Sequence, residues 1–206
     1  MKDPKGPDTP PKTPGKPRRN AAATRQAILD SARQAFTRSG YDGVGLREIA
    51  RNAGVTAMLV NRYFGSKEKL FEEAVEATLA VPGMLRNEIG KADRDLTRLS
   101  RALAGELVHA ATSERSPLDG ILLLIRSAAN EQAARLLRES AARHLKPLRD
   151  IMTGSHADER AATFLALVAG FQLMRWIIAL PGLTEADPAV LESRLEELFA
   201  CLLAEK

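Results

Sequence analysis

The sequence predicts an all-α protein, and three observations support this prediction. Alanine and leucine are abundant while aromatic residues make up only 4% of the chain, a composition that favours helices over strands. Apolar residues recur at spacings of three and four, which is the period of an amphipathic helix. No segment alternates apolar and polar residues as a half-buried strand does. With 206 residues, the chain is long enough for one large domain or two small ones.

Residues 1–20 are expected to form a disordered basic tail. Six prolines are interleaved with lysine and glycine, and no apolar face exists that could offset the entropy of ordering. The segment also lacks the hydrophobic stretch of a secretory signal. Two interpretations stay open, a plain solvated tail or a basic arm that lies along a nucleic-acid backbone or minor groove.

Residues 24–39 are predicted to form the first helix, with Thr24 as its N-cap and Gly40 just beyond its end. Its inner stripe repeats at helical spacing and consists of Ile28, Ala32, Ala35 and Phe36. Tyr41-Asp42-Gly43 is predicted to be a turn.

Residues 44–64 are typical of a helix-turn-helix. The inner face of its first helix consists of Leu46, Ile49, Ala50 and Ala53. Gly54 ends that helix, and Thr56 can cap the next one through its hydroxyl. Val60 and Phe64 share the inner face of the second helix. A small residue at 50, glycine at 54 and valine at 60 form the pattern of a DNA-binding helix-turn-helix.

The second helix of this pair is then the recognition helix. Its outward residues are Ala57, Met58, Asn61 and Arg62. Arg62 can bind guanine or a phosphate, Asn61 can pair with adenine, and Met58 or Ala57 can touch a thymine methyl. From spacing alone, an ordinary surface helix is the alternative.

A third helix is predicted over 67–80, capped by Ser66 and with Glu68 near its positive end. Its inward residues are Leu70, Ala74, Val75 and Ala77. Pro82-Gly83 ends it and separates a DNA-binding domain, 21–81, from a larger domain, 82–206.

The distribution of charged residues along the chain agrees with this division. Residues 1–64 carry twelve Lys/Arg against five acids, whereas the rest carries 18 against 21, so positive charge lies where phosphates would bind.

Five short segments resemble the N-terminal domain of the TetR/AcrR family of transcriptional regulators. They are Ala-Ile-Leu-Asp-Ser-Ala-Arg-Gln-Ala-Phe (27–36), Gly-Tyr-Asp-Gly (40–43), Arg-Glu-Ile-Ala (47–50), Ala-Gly-Val-Thr (53–56) and Tyr-Phe-Gly-Ser-Lys-Glu-Lys-Leu-Phe (63–71). The chain departs from the family at Val44-Gly45, where Thr or Ser is usual. It also departs at Met58 and Asn61, where a small residue and Tyr are frequent.

The resemblance implies that Lys67, which follows Ser66, contacts a phosphate. Tyr63 is a second phosphate candidate, and Arg25 can reach another from the first helix. A core position for Tyr63 and a solvated charge for Lys67 are the alternatives. The predicted DNA-binding residues are Arg25, Gly45, Thr56, Ala57, Met58, Asn61, Arg62, Tyr63 and Lys67.

The remaining chain is predicted to be helical near 84–90, 95–112, 117–129, 131–152, 158–180 and 188–204. Breaks are expected at Gly90, Ser116-Pro117, Asn130, Gly154 and Pro181-Gly182. Pro147 predicts a kink or a restart in its helix.

Residues 161–180 are apolar all round except for Gln172 and Arg175, which predicts a helix buried on both sides. A transmembrane span is the rival interpretation, opposed by the cost of Arg175, roughly 2.5–3.5 kcal/mol. The last helix carries a leucine stripe, and two such helices can form a four-helix bundle across a two-fold axis, as the resembling family does. The predicted dimer interface consists of Ala162, Ala166, Ala169, Leu173, Trp176, Ile177, Leu195, Leu198 and Leu202.

The resemblance also implies a pocket for a small-molecule effector within the C-terminal domain. The residues predicted to line it are Leu122, Ile125, Arg126, Phe171 and Arg175. Arg175 needs a partner there, either an anionic ligand or an internal acid such as Glu131 or Glu139.

No enzymatic site is predicted. The three histidines lack metal-ligand spacing, and no phosphate loop, nucleophile elbow or catalytic carboxylate pair is recognisable, so neither a metal nor a cofactor is expected. The single cysteine, Cys201, fits a reducing cytoplasm and is expected to be a small core or interface residue.

These observations predict a cytoplasmic, homodimeric repressor that binds a palindromic site on double-stranded DNA and is released by a small-molecule ligand. It would have no membrane partner. The alternative is a helical ligand- or protein-interaction module that no longer binds DNA, suggested by Val44, Gly45, Met58 and Asn61. An uncharacterised enzyme is a weaker third idea, with no residue to name.

Overall fold

The computed structural model describes residues 18–79, 87–91, 95–109 and 118–204. These residues form helices and turns without a strand, so the predicted all-α fold is confirmed. The helices are α1 (Arg18–Ser39), α2 (Leu46–Asn52), α3 (Ala57–Phe64), α4 (Lys67–Thr78), α5 (Leu96–His109), α6 (Leu118–Ser127), α7 (Glu131–Ile151), α8 (Ala157–Gln172), α9 (Pro181–Thr184) and α10 (Pro188–Leu203). Residues 87–91 are also helical, and Leu173–Ile177 form a π-helical turn after α8.

The start of α1 differs from the prediction. The helix begins at Arg18, three residues inside the predicted tail, so Thr24 lies within the helix and is not its N-cap. Three consecutive alanines, 21–23, extend the helix toward the N-terminus because alanine has the highest helix propensity. The rest of the predicted tail, residues 1–17, lies outside the described residues, and so do the breaks at Pro82-Gly83 and Ser116-Pro117.

The structure differs from the sequence prediction at Gly90 and Pro147. Gly90 lies within the helical segment 87–91, and α7 runs through Pro147 as one helix of 21 residues. Proline removes one backbone donor from a helix, yet α7 continues on both sides of Pro147, so the predicted restart does not occur. By contrast, Gly40, Gly54 and Gly154 end or separate elements as predicted, each with a positive φ.

The predicted helix 158–180 is shorter than expected. The α-helical pattern ends at Gln172, and the N–H of Ile178 donates to the carbonyl of Leu173, a five-residue step. Pro181 disfavours the α conformation at the residue before it, which helps to explain why the helix does not continue. Within the described parts of the chain, no helix is both long and apolar enough to cross a bilayer.

Two hydrophobic clusters organise the fold. The first is built from α1 to α4, around Ile28, Phe36 and Phe71, and it also includes Leu123 of α6 and Leu137 of α7. The second unites α5, α8 and α10 with the end of α7. The N-terminal helices therefore share their core with the following helices, which fixes the orientation of α3 relative to the rest of the chain.

Candidate DNA interface and ligand cavity

The helix-turn-helix is built by short-range contacts that the sequence encodes. Gly54 has a φ of +69°, and the N–H of Val55 donates to the carbonyl of Ala50 at 2.9 Å, which closes the turn. The Thr56 hydroxyl accepts from the N–H of Leu59 at 3.3 Å and caps α3. Val60 is buried against the first cluster, so the opposite face of α3 points outward.

The outward face of α3 carries the predicted base-reading residues. Met58 is 80% exposed, more than any other large apolar side chain in the described parts of the chain. Asn61 and Arg62 are also exposed, and Ala57 is half-buried. The guanidinium of Arg62 has no ion pair or hydrogen bond with any described residue. An apolar side chain, an amide and an unpaired cation on one short helix match the chemistry of a major-groove reader.

The structure places the predicted phosphate contacts in different surroundings. Arg25 is bound within the protein, because its guanidinium meets the Glu73 carboxylate at 2.5 Å and lies 4.7 Å from the Phe64 ring centroid. The Lys67 ammonium lies 4.5 Å from the centre of the Tyr41 ring. Tyr63 is half-buried and packs against the first cluster.

Gly45 is the N-cap residue of α2 and is exposed. Its backbone is extended, with a φ of −105°, and it offers no side chain to cap the helix. A Cβ added at this position would meet no atom within 4 Å, so the site has room for a larger residue.

Two exposed arginines on α2 were not among the predicted site residues. Arg47 and Arg51 are one helical turn apart, and neither has an ion-pair partner among the described residues. Arg38, in contrast, is paired with Glu48 at 3.0 Å. The i, i+4 spacing of Arg47 and Arg51 was visible in the sequence, but only the structure distinguishes free from paired arginines.

A cavity of about 520 Å³ lies between the end of α4 and helices α6, α7 and α8. Its walls are mainly aliphatic, with Leu124, Leu145 and Leu165 among them. The polar side chains that line it are Thr78, Arg138, His144 and Gln172. This volume is within the range of ligand pockets in proteins, about 300–1,000 Å³.

None of the five residues predicted for the pocket lines this cavity. Ile125 is 56% exposed, and Leu122 is half-buried. The Arg126 guanidinium donates to the carbonyl of Thr37, which ties α6 to α1. The residues of α6 that face the cavity are Gly120, Ile121 and Leu124. Successive residues of a helix point about 100° apart, so a neighbouring residue such as Leu122 or Ile125 lies on a different face of α6.

Phe171 and Arg175, the other two predicted pocket residues, belong to the second cluster and its edge. Phe171 is buried there. The Arg175 guanidinium donates to the carbonyl of Val108 at 3.0 Å and lies 4.9 Å from the Trp176 ring centroid. The Arg175 guanidinium is thus bound by the Val108 carbonyl and the Trp176 ring, where the sequence predicted an acid or an anionic ligand.

The predicted dimer residues are distributed over three environments. Ala162, Ala166 and Ala169 line the cavity. Leu195 is buried within its own chain at 4% exposure, because α10 packs closely on α5, so it has little surface left for a partner. The remaining predicted residues, half-buried or exposed, are Leu173, Trp176, Ile177, Leu198 and Leu202.

A polar junction links the cavity wall to the N-terminal helices. Glu76 of α4 accepts from the Ser140 hydroxyl and from Arg143, each at 2.8 Å, and its second oxygen lies 2.7 Å from His144 Nε2. Burial alone would raise the pKa of the Glu76 carboxyl. The hydrogen bonds from Arg143 and Ser140, with the charges of His144 and Arg143, outweigh burial and hold that pKa below its ordinary value.

Comparison with known proteins assigns the two halves of the chain. The profile for "Bacterial regulatory proteins, tetR family" matches residues 28–74, and that for "Tetracyclin repressor-like, C-terminal domain" matches residues 97–203. The HTH-type transcriptional regulator BetI of Agrobacterium fabrum is 40% identical over 55 residues, which cover 27% of each protein. The HTH-type transcriptional regulator AcrR of Shigella flexneri is 36% identical over 105 residues, covering 50% of this chain and 49% of AcrR.

The matched segments thus span about a quarter to a half of the length of these relatives. A solved structure resembles nearly the whole chain. A TetR-family regulator from Streptomyces coelicolor A3 superposes with a TM-score of 0.57 and 27% identity, over 92% of this chain and 99% of its own. Together, the two profile matches cover both the helix-turn-helix and the larger helical domain, and the resemblance predicted from the sequence is confirmed: the chain belongs to the TetR family of bacterial regulatory proteins.

Proposed function

We propose that this protein is a sequence-specific DNA-binding transcriptional repressor. The observation that supports this most directly is the outer face of α3, where Met58, Asn61 and Arg62 are exposed together and Arg62 has no partner among the described residues. These side chains supply a methyl contact, an adenine-type amide pair and a guanine- or phosphate-binding cation. Arg47 and Arg51 of α2 add unpaired positive charge beside them.

The repressor acts as a homodimer in this proposal. One recognition helix reads a few base pairs, and two of them related by a two-fold axis read a palindrome with half-sites about one helical turn or more apart. Exposed apolar side chains suited to such an interface occur beyond the end of α8 and on α10, namely Met174, Ile177, Ile178, Leu180, Val190 and Leu198.

A small-molecule effector in the cavity controls DNA binding in this proposal. Thr78 and Leu79, at the end of α4, form part of the cavity wall, and α4 packs on α1 and α3. A ligand that fits the cavity better when the end of α4 is displaced would favour a spacing of the two recognition helices that no longer matches the operator. Release therefore requires a ligand that binds the displaced state more tightly.

The test is selection of bound sequences from random double-stranded DNA by the purified protein at about 150 mM salt, where weak phosphate attraction is reduced. The expected result is an enriched palindrome. Met58→Ala, which leaves the core untouched, should weaken binding to that palindrome by about 1 kcal/mol, since the shorter side chain buries less apolar surface against the DNA. Arg135→Ala, on α7, is the matched surface control and should bind normally.

Failure to enrich any sequence, with a folded and helical protein, would contradict the proposal. It would favour the helical interaction module, whose partner would still bind when Met58 and Arg62 are both replaced by alanine.

A further inference from the structure

Gln172 is a polar side chain without a partner at the wall of the cavity. It is only 6% exposed and lines the cavity, yet its amide makes no hydrogen bond with any described residue. Buried amides are nearly always paired, so the Gln172 amide is a group that can donate to and accept from a molecule bound in the cavity. Gln172 is also the last residue of α8 before the π-helical turn, a feature frequent at functional sites.

Arg138 is a second cavity residue without a partner. The other arginines of α7 are engaged: Arg135 with Glu139, Arg143 with Glu72 and Glu76, and Arg149 with Asp158. Arg138 has no carboxylate within ion-pair distance among the described residues, although it lines the cavity and is exposed at its edge. The guanidinium is therefore available to a ligand.

Gln172 and Arg138 lie at the same end of the cavity. A short connection, residues 152–156, joins α7 to α8, so the two helices run antiparallel. Arg138 precedes this connection by about as many residues as Gln172 follows it, which places both at the end of the hairpin that is farther from the connection. His144 and Ala162, both closer to the connection, line the other end.

The rest of the wall selects against positive charge. The described lining residues include neither a carboxylate nor a phenyl, phenol or indole ring, the groups that hold cations in apolar pockets. His144 is already held by Glu76 and Ser140. The cavity thus combines an aliphatic body with one end that offers a cation and an unpaired amide.

We propose that the effector is an amphiphilic monocarboxylate with an aliphatic body, its carboxylate bound by Arg138 and Gln172 and its body in the aliphatic part of the cavity. Arginine matches a carboxylate with two parallel hydrogen bonds, and the glutamine amide donates a third. This inference rests on the proposed function in taking the cavity as the effector site.

Calorimetry with the full-length protein tests the ligand class. The probes are decanoate and decyltrimethylammonium, each below its micelle concentration, and decanol below its solubility limit. Decanoate should bind at least tenfold more tightly than decanol, since the alcohol cannot form the charge-assisted hydrogen bonds of a carboxylate. Decyltrimethylammonium should bind most weakly. From hexanoate to decanoate, each methylene should improve affinity about fourfold while the chain fits inside the cavity.

Variants locate the site. Arg138→Gln should weaken decanoate binding at least tenfold and leave decanol binding unchanged, which removes the preference between the two. Gln172→Leu should weaken decanoate binding less, because it removes only the neutral hydrogen bond. Arg135→Gln, one turn away and paired with Glu139, is the control and should bind decanoate normally.

Equal binding of the three probes, tighter binding of the cation, or normal decanoate affinity in Arg138→Gln would overturn this proposal. Its failure is separable from failure of the proposed function. A protein that selects a palindrome but ignores decanoate is a repressor with another ligand. A protein that binds decanoate through Arg138 but selects no DNA keeps the carboxylate site and loses the repressor role.

Discussion

At the scale of single residues, pairing decides which cations can reach DNA. Arg25 and Arg62 look equivalent in the sequence, as two arginines of a basic N-terminal region. In the structure the Arg25 guanidinium is held by Glu73 and Phe64, whereas Arg62 is exposed and has no partner in the described chain. Moving Arg25 to a phosphate would require giving up both internal interactions. Arg62 has no such internal interaction to lose on binding a phosphate or a base.

This difference predicts opposite effects of two matched substitutions. Arg62→Ala should reduce the slope of log affinity against log salt by about 0.9 for each phosphate that Arg62 neutralises in the wild-type complex. Arg25→Ala should leave that slope unchanged and lower the free energy of unfolding by about 1 kcal/mol, the size expected of a partly exposed ion pair with a cation–π interaction. Filter binding at several salt concentrations and urea unfolding measure the two quantities. An equal reduction of the slope in both variants would place Arg25 on a phosphate.

At the scale of secondary structure, the sequence was most informative where the determining contacts are local. The caps at Thr56 and Ser66 are hydrogen bonds across three residues, and the sequence predicted both. The predicted start of α1 was wrong because the three alanines at 21–23 extend the helix beyond Thr24. The residues of α6 that line the cavity were not predicted, because the cavity-facing side of α6 is determined by how α6 packs on α1, α4 and α7. The partner of Arg25 is 48 residues away, which no local pattern reveals.

The cap of the recognition helix makes a prediction at this scale. Thr56→Ala removes the oxygen that accepts from the Leu59 N–H, so the free energy of unfolding should fall by about 1 kcal/mol. Thr97→Ala is the control, because Thr97 is exposed and its hydroxyl makes no hydrogen bond with a described residue. It should change stability by less than about 0.5 kcal/mol. Chemical denaturation measures the free energy of unfolding of both variants. If Thr56→Ala and Thr97→Ala are equally stable, the Thr56 cap does not contribute to the stability of the fold.

At the scale of the whole molecule, the N-terminal helices and the larger domain are joined by a shared core and by polar contacts. Leu123 and Leu137 pack into the cluster formed by α1 to α4. The N–H of Tyr41 donates to the Ser127 hydroxyl at 3.1 Å, and Asn130 donates to Asp42 at 2.9 Å. Because α4, α6 and α7 line the cavity and also pack into the cluster that holds α3, a displacement at the cavity wall would reach α3 through direct packing.

The Glu76 junction predicts how stability depends on pH. Its pKa is held below the ordinary value of 4.5 in the folded state, so the junction stabilises fully above that value and loses its contribution as pH falls through the folded pKa. Glu76→Gln should lower the free energy of unfolding by about 1 kcal/mol at pH 7, since the carboxylate is partly exposed and screened by solvent, and make it less dependent on pH in acid. Glu139→Gln, at an exposed position with one weak partner, should behave as wild type. Parallel pH profiles for wild type and Glu76→Gln would contradict this prediction.

Gly40 tests the contact between the two parts of the molecule, with Gly54 as its matched control. Both have left-handed backbones, with φ of +71° and +69°, so an alanine costs about 1–2 kcal/mol at either site from backbone strain alone. They differ in surroundings. A Cβ on Gly40 would lie 2.3 Å from the carbonyl oxygen of Arg126 in α6, whereas a Cβ on Gly54 would meet nothing within 4 Å.

Gly54→Ala should therefore lower the free energy of unfolding by the strain alone, and Gly40→Ala by about 1–3 kcal/mol more, the usual cost of overpacking. The additional loss of stability in Gly40→Ala should be accompanied by a local structural change. Moving the new Cβ away from the Arg126 carbonyl separates α1 from α6, which weakens the Tyr41–Ser127 and Arg126–Thr37 hydrogen bonds. Amide exchange should then accelerate at Tyr41 in Gly40→Ala and stay slow in Gly54→Ala. If both variants lose the same stability and keep Tyr41 protected, the close approach of α1 and α6 does not hold the N-terminal helices against the rest of the protein.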